Sequence, residues 1–221
     1  LLGNLDDFSI AFWRLVVAIC ALGVVILVSR KFFELFRVRE NIRQFIVLGI
    51  LLGLHFILFA SASNNTTILN ATVLVNTTPI FSMLISSFLF KVKPSYVAVI
   101  GILVTFLGVS VIALVDISRS TSSDSLIGDM EAVLAAIAEG FYLNYGRGIR
   151  GKMSLAPLMF VIYFVSALTV SVASVLAFVV TLNPLTFAIS QPSLIPYLIA
   201  LGIIPTAFAH SFYFSSLSHL R

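Results

Sequence analysis

The segment Arg30-Lys31-Phe32-Phe33-Glu34-Leu35-Phe36-Arg37-Val38-Arg39-Glu40-Asn41-Ile42-Arg43 holds five of the thirteen Lys and Arg residues of the chain. It separates two long apolar runs and decides how the rest is read. Two gaps further on stand Lys91 and Lys93, two gaps beyond those stand Arg147, Arg150 and Lys152, and the chain ends in Arg221. The gaps between hold one basic residue, Arg119. Loops that stay in the cytoplasm keep Lys and Arg, so every second gap is expected to face the cytoplasm.

The 221 residues are 60% hydrophobic and only 10% charged, against about 25% charged in soluble domains. There is no water-facing shell to wrap a core, so lipid is the expected solvent and partner. A spanning helix needs about 20 apolar residues, and seven runs qualify: 8–29, 42–63, 66–90, 95–116, 127–147, 155–181 and 193–217, here spans a to g. The expected fold is an all-α polytopic helix bundle in the plasma membrane, with the first residue outside and the last in the cytoplasm. Loop chemistry fills the gaps, as at Ser63-Asn64-Asn65, Pro94-Ser95 and Asn183-Pro184. The net charge of +4 does not point to nucleic acid, because eleven basic residues are explained by topology. Cys20 is the only cysteine, and no Cys/His metal spacing, cofactor motif or nucleotide-binding motif is present. The leading residues are acidic and do not resemble a signal peptide.

Spans b and g resemble each other. Span b runs from Leu48-Gly49 to His55, Phe59 and Ser61; span g runs from Leu201-Gly202 to His210, Phe214 and Ser216, with a two-residue slip between Gly and His. The charge pattern runs b inside to outside and g outside to inside, so the copies are inverted. Inverted repeats mark secondary transporters, with the substrate site near the midplane. The five-span offset also pairs a with f, and predicts partners for c, d and e beyond this chain. Seven spans then read as part of ten.

The motifs Ala11-Phe12-Trp13-Arg14-Leu15, Ser61-Ala62-Ser63-Asn64, Asn76-Thr77-Thr78-Pro79-Ile80-Phe81, Phe90-Lys91-Val92-Lys93-Pro94-Ser95, Gly128-Asp129 and Phe212-Tyr213-Phe214-Ser215-Ser216-Leu217 occur in that order. In order and spacing they resemble the drug/metabolite transporter superfamily, EamA type. The resemblance implies ten helices in two inverted five-helix repeats. Residues 1–117 would hold helices two to five of the first repeat, and 118–221 helices six to eight of the second. It implies movement of small metabolites or drugs without enzymatic chemistry. Two positions depart from the family pattern: Val92 stands where an acidic residue is frequent, and Glu139 where an aromatic or small residue is usual.

Glu139 is the most expensive residue, because an acid mid-span costs about 2.5–3.5 kcal/mol on insertion scales. It reads either as a site for a coupled proton or a substrate amine, or as neutral interhelix glue. Glu131 and Tyr142 share its face at helical spacing. Arg14 lies about 9 Å from the outer end of span a at 1.5 Å per residue. It could snorkel outward, pair with Glu131, or bind a substrate carboxylate; a structural arginine that fixes helix packing is the favoured single reading. His55 and His210 lie about 4 Å outside and about 6 Å inside their span midpoints, and either could relay protons or hydrogen-bond a substrate. Span c places Thr72, Asn76, Pro79 and Met83 on one face, where Pro79 frees a backbone carbonyl. That strip suits a cavity wall, or equally polar glue between helices. Gly49, Gly53, Gly101 and Gly108 suit close helix packing.

The leading expectation is a secondary-active exporter of small metabolites or drugs working by alternating access. A seven-helix receptor is the alternative, since seven spans with an outside start share its topology. Against it, Lys31, Lys91, Lys93 and Lys152 all lie in gaps, leaving no lysine inside the bundle for a retinal Schiff base.

Overall fold

The computed structural model describes residues 6–89, 91–117, 124–181, 189 and 191–216. Phe90, Arg119, Asn183, Pro184, Leu217 and Arg221 lie outside the described residues. Every element among the described residues is helical. The helices are α1 (Asp7–Val28), α2 (Ile42–Asn65), α3 (Ile68–Val75), α4 (Thr78–Leu89), α5 (Tyr96–Ile117), α6 (Asp124–Tyr145), α7 (Leu155–Thr181), α8 (Ile195–Leu201) and α9 (Ser211–Ser216). A 3-10 helix, Phe32–Asn41, joins α1 to α2, and a π-helix, Gly202–His210, joins α8 to α9.

Five stretches are long and apolar enough to cross a membrane: Asp7–Val28, Phe32–Asn65, Ile68–Leu89, Leu155–Val179 and Pro192–Ser215. The other two runs form α5 and α6. Helix α6 carries Asp129, Glu131 and Glu139, so its composition is less apolar. The protein is an all-α polytopic membrane protein, as its apolar runs require.

Two expected spans are not continuous helices. Span c breaks at Asn76–Thr77 into α3 and α4, so Thr72, Asn76, Pro79 and Met83 do not lie along one regular helix. The cause is Pro79, which has no N–H to offer the carbonyl four residues back. Span g widens into the π-helix around Pro205 for the same reason.

The chain divides into two compact units, Leu1–Leu54 with Tyr145–Arg221, and His55–Asn144. In the first, α1 packs on α7 and on the π-helix. Its buried face is Ala11, Leu15, Ala18, Leu22 and Ile26, spaced by three or four residues. Gly49 and Gly53 of α2 meet α7: a Cβ at Gly49 would lie 2.4 Å from Val165 Cβ, and one at Gly53 2.9 Å from Thr169 Cβ. Such small residues let two backbones approach, and the approach brings Gly49 O within 3.0 Å of the donating Ser166 Oγ. Gly101 and Gly108 have no described neighbour within 4 Å and close no packing contact there.

A carboxylate from another segment caps the start of α7. Glu34 of the 3-10 helix accepts from Ser154 N–H at 2.6 Å and from Ser154 Oγ at 2.7 Å. It plays the part of the acid in a capping box, which reaches back to the cap residue's N–H. The backbone and hydroxyl bonds from Ser154, then Lys31 and Arg37, hold the Glu34 carboxyl below its ordinary range. A depressed acid stabilises the fold above its unfolded-state pKa, and that contribution disappears as pH falls through the folded value. Glu34→Gln is therefore expected to lower the unfolding midpoint in detergent near neutral pH. The gap to the unmodified protein should narrow as pH drops below the carboxylate range. A gap constant with pH would contradict this assignment.

In the second unit, α3 packs on α5, and Ala62, Ala71 and Ala132 form a core with Phe59, Leu74 and Val75. Polar side chains tie α2 to α6. Glu131 accepts from Ser61 Oγ and Asn65 Nδ2, each at 2.9 Å, and Asp129 accepts from Thr66 Oγ1 at 2.8 Å. Asn144 of α6 donates to Ser82 O of α4 at 2.8 Å.

Candidate functional site

The site in the second unit grows from the break between α3 and α4. Pro79 leaves the carbonyl of Val75 without its helical donor. The adjacent hydroxyl takes over, with Thr78 Oγ1 2.8 Å from Val75 O. The same Thr78 Oγ1 lies 2.8 Å from Glu139 Oε2 of α6. Both Thr78 and Glu139 are buried, at 3% and 7% exposure.

A hydroxyl has one hydrogen to donate. The Val75 carbonyl can only accept, so if Thr78 donates to it, the bond to Glu139 must run the other way. Glu139 can donate only when protonated. When Glu139 is ionised, both neighbours of Thr78 are acceptors, and one of them loses the shared hydrogen. Protonation of Glu139 is thereby linked to how the α3–α4 break is held together.

His55 of α2 completes the cluster. Its Nδ1 lies 3.0 Å from Ala135 O, so Nδ1 carries the donated hydrogen, and it is 3.9 Å from Glu139 Oε2. The imidazole stacks on Phe59, with ring centroids 6.4 Å apart and planes within 5°.

The first unit repeats the proline chemistry with one difference. Pro205 deprives Leu201 O of its donor, and Thr206 Oγ1 supplies one at 2.8 Å. Arg14 Nε then donates to Thr206 Oγ1 at 3.1 Å, and Tyr163 OH donates to Thr206 O at 2.5 Å. Arginine stays charged and only donates, so this threonine never faces two acceptors there. Arg14 is 6% exposed; it packs between α1 and the π-helix and does not snorkel.

The remaining expected residues divide clearly. Tyr142 is fully buried on α6, one turn beyond Glu139. Glu131 lies two turns before Glu139, with both oxygens engaged by Ser61 and Asn65. His210 is half-buried at the end of the π-helix. Thr72, Asn76 and Pro79 are exposed, and Asn76 Nδ2 donates to Thr72 O at 2.8 Å. It is Thr78, not Thr72 or Asn76, that reaches Glu139. The signal for Thr78 was present in sequence: a threonine directly before an intrahelical proline can reach the carbonyl that the proline orphans. A separate cleft of about 300 Å³ lies between α3 and α6, with Asn70 and Asp129 among apolar side chains; Glu139, Thr78 and His55 do not line it.

Paired buried ionisable groups beside broken helices define a class: polytopic membrane proteins with a polar site inside the bundle, where such groups mark substrate and ion paths. Residues 1–114 match the EamA-like transporter family, and the chain belongs to that family. It is also 28% identical over 148 residues to the uncharacterized transporter YxxF of Bacillus subtilis (strain 168), a match taking in 66% of this chain and 47% of that protein. The chain thus spans about half the length of the curated relative it matches. No solved structure matches it.

Proposed function

We propose that this chain is part of a secondary-active, alternating-access exporter of small metabolites or drugs, driven by proton exchange at Glu139. The observation that carries the reading is the single Thr78 hydrogen between the Glu139 carboxyl and the Val75 carbonyl. Proton loss removes a donor from that cluster, and a substrate bearing an amine could replace it. Substrate and proton would then occupy the site in turn, which is the requirement for exchange. His55, 3.9 Å from Glu139, is the relay. Arg14 holds the second break closed as a fixed, proton-independent counterpart.

The ten-helix architecture of two inverted repeats, divided at 117/118, belongs to this proposal. It is supported by the b–g resemblance, whose two-residue slip falls within the π-helix Gly202–His210. Wider π turns accommodate inserted residues in a helix. The plasma membrane belongs to the same proposal, and the charge pattern supports basic connections on the cytoplasmic side.

The test uses the full-length protein in vesicles with a trapped pH dye and a panel of metabolite amines. Uptake of at least one amine driven by an outward-directed proton gradient, accompanied by proton efflux and beyond that of protein-free vesicles, is expected. Amine flux indifferent to the size and direction of the gradient would overturn proton exchange.

A further inference from the structure

We propose that the 3-10 helix Phe32–Asn41 is a docking surface for anionic lipid headgroups, lying in the membrane interface beside α1. It concerns a different part of the molecule from Glu139 and does not depend on which side is cytoplasmic.

Three observations carry it. The first is how the chain enters this segment. Helix α1 ends in a Schellman motif: Lys31 N–H reaches Ile26 O at 3.1 Å and Arg30 N–H reaches Leu27 O at 3.2 Å. Arg30 takes the left-handed conformation, φ 56°, usually left to glycine there. The turn stops the span and redirects the chain at the membrane surface.

The second is the order within the segment. Side chains three apart eclipse in a 3-10 helix, so Glu34 and Arg37 share one row while Phe33, Phe36 and Arg39 share another. The first row is tied down. Glu34 holds Ser154, Arg37 Nη1 donates to Lys152 O at 3.4 Å, and Lys152 Nζ donates to Asn41 Oδ1 at 2.7 Å. The other row is turned out: Phe33 is 80% exposed and Phe36 61%, with Phe32 at 52% edge-to-face against Phe36. A soluble loop would hide three such rings. A bilayer interface accepts them.

The third is charge. Arg30, Lys31, Arg37, Arg39 and Arg43 are all exposed around these rings. Glu34, one of the two acids among them, is engaged by Ser154. Exposed aromatic rings flanked by basic side chains fit an apolar boundary covered by negative phosphate headgroups. A soluble anion would satisfy the charges but not the rings, so the occupant is a lipid.

Phe33→Trp in the full-length protein provides a local reporter, with the whole tryptophan signal of the parent protein, Trp13 included, subtracted. The protein is reconstituted in vesicles containing shallow-brominated phosphatidylglycerol or, at equal mole fraction, brominated phosphatidylcholine. Stronger quenching by the phosphatidylglycerol is expected, and Arg39→Gln with Arg43→Gln should reduce that preference by up to about fivefold for each charge. Should that variant fail to fold, raising the salt on the Phe33→Trp protein should erase the preference in its place. Equal quenching by both lipids, or none beyond the Trp13 background, would overturn the proposal. Loss of the preference on adding inorganic phosphate at constant ionic strength would assign the cluster to a soluble anion, and would overturn it too.

Discussion

Glu139→Gln is expected to abolish proton-coupled transport while leaving the protein folded and inserted. Glutamine has the same length, and its amide supplies a permanent N–H donor. Thr78 can then give its one hydrogen to Val75 O and accept from the amide, as the protonated acid would allow. The variant is locked in one hydrogen-bonding state. Flux driven by a pH gradient should fall to the background of empty vesicles, and the residual exchange of substrate for substrate should lose its pH dependence. Stability in detergent should hold or rise, because a costly ionisable group has left a buried position. A variant that still responds to pH as the unmodified protein does would remove Glu139 as the coupling group.

The largest expected loss of stability falls at Gly49. A methyl group there would have to sit 2.4 Å from Val165 Cβ, and Ser166 N is 3.2 Å away, so both α7 side chain and backbone resist it. Relief requires α2 and α7 to separate, which also stretches the 3.0 Å bond from Ser166 Oγ to Gly49 O. Overpacking of this kind costs about 1–3 kcal/mol. Gly49→Ala should show that loss in equilibrium unfolding, and the loss should shrink when it is measured against Val165→Gly as the parent, which removes the Cβ that the new methyl meets. Gly101→Ala is the control. Nothing described lies within 4 Å of its Cβ, and alanine's helix propensity should leave stability unchanged or raise it by up to about 1 kcal/mol. Equal losses at both glycines would show that the α2–α7 contact does not govern the loss at Gly49.

The sequence was most readable where one property dominates. Apolar runs predicted helices in all seven places, and α7 begins and ends at the expected residues, 155 and 181. The acid at 139 was singled out by cost alone, and it is buried against His55 and Thr78. What stayed hidden depends on partners far apart in the chain. Ser154 gives no sign that its capping carboxylate is Glu34, 120 residues earlier. Arg14 read best as a packing arginine, but its sequence position names no partner, and only packing against the π-helix reveals Thr206. The breaks at Pro79 and Pro205 were half-legible: proline announces a freed carbonyl, but not whether the helix parts, as at Asn76–Thr77, or widens, as at Gly202–His210. The ordered 3-10 helix was hidden by its charge, since a basic gap between spans reads as a loop.

The central claim is that Glu139 and the α3–α4 break share one hydroxyl hydrogen. Infrared difference spectroscopy of the full-length protein across a pH titration addresses it without knowledge of the substrate. The account predicts a protonated-carboxyl stretch that disappears in Glu139→Gln and moves to higher frequency in Thr78→Val, where the acid loses its acceptor. A carboxyl stretch assigned to Glu139 but unmoved by Thr78→Val would contradict it.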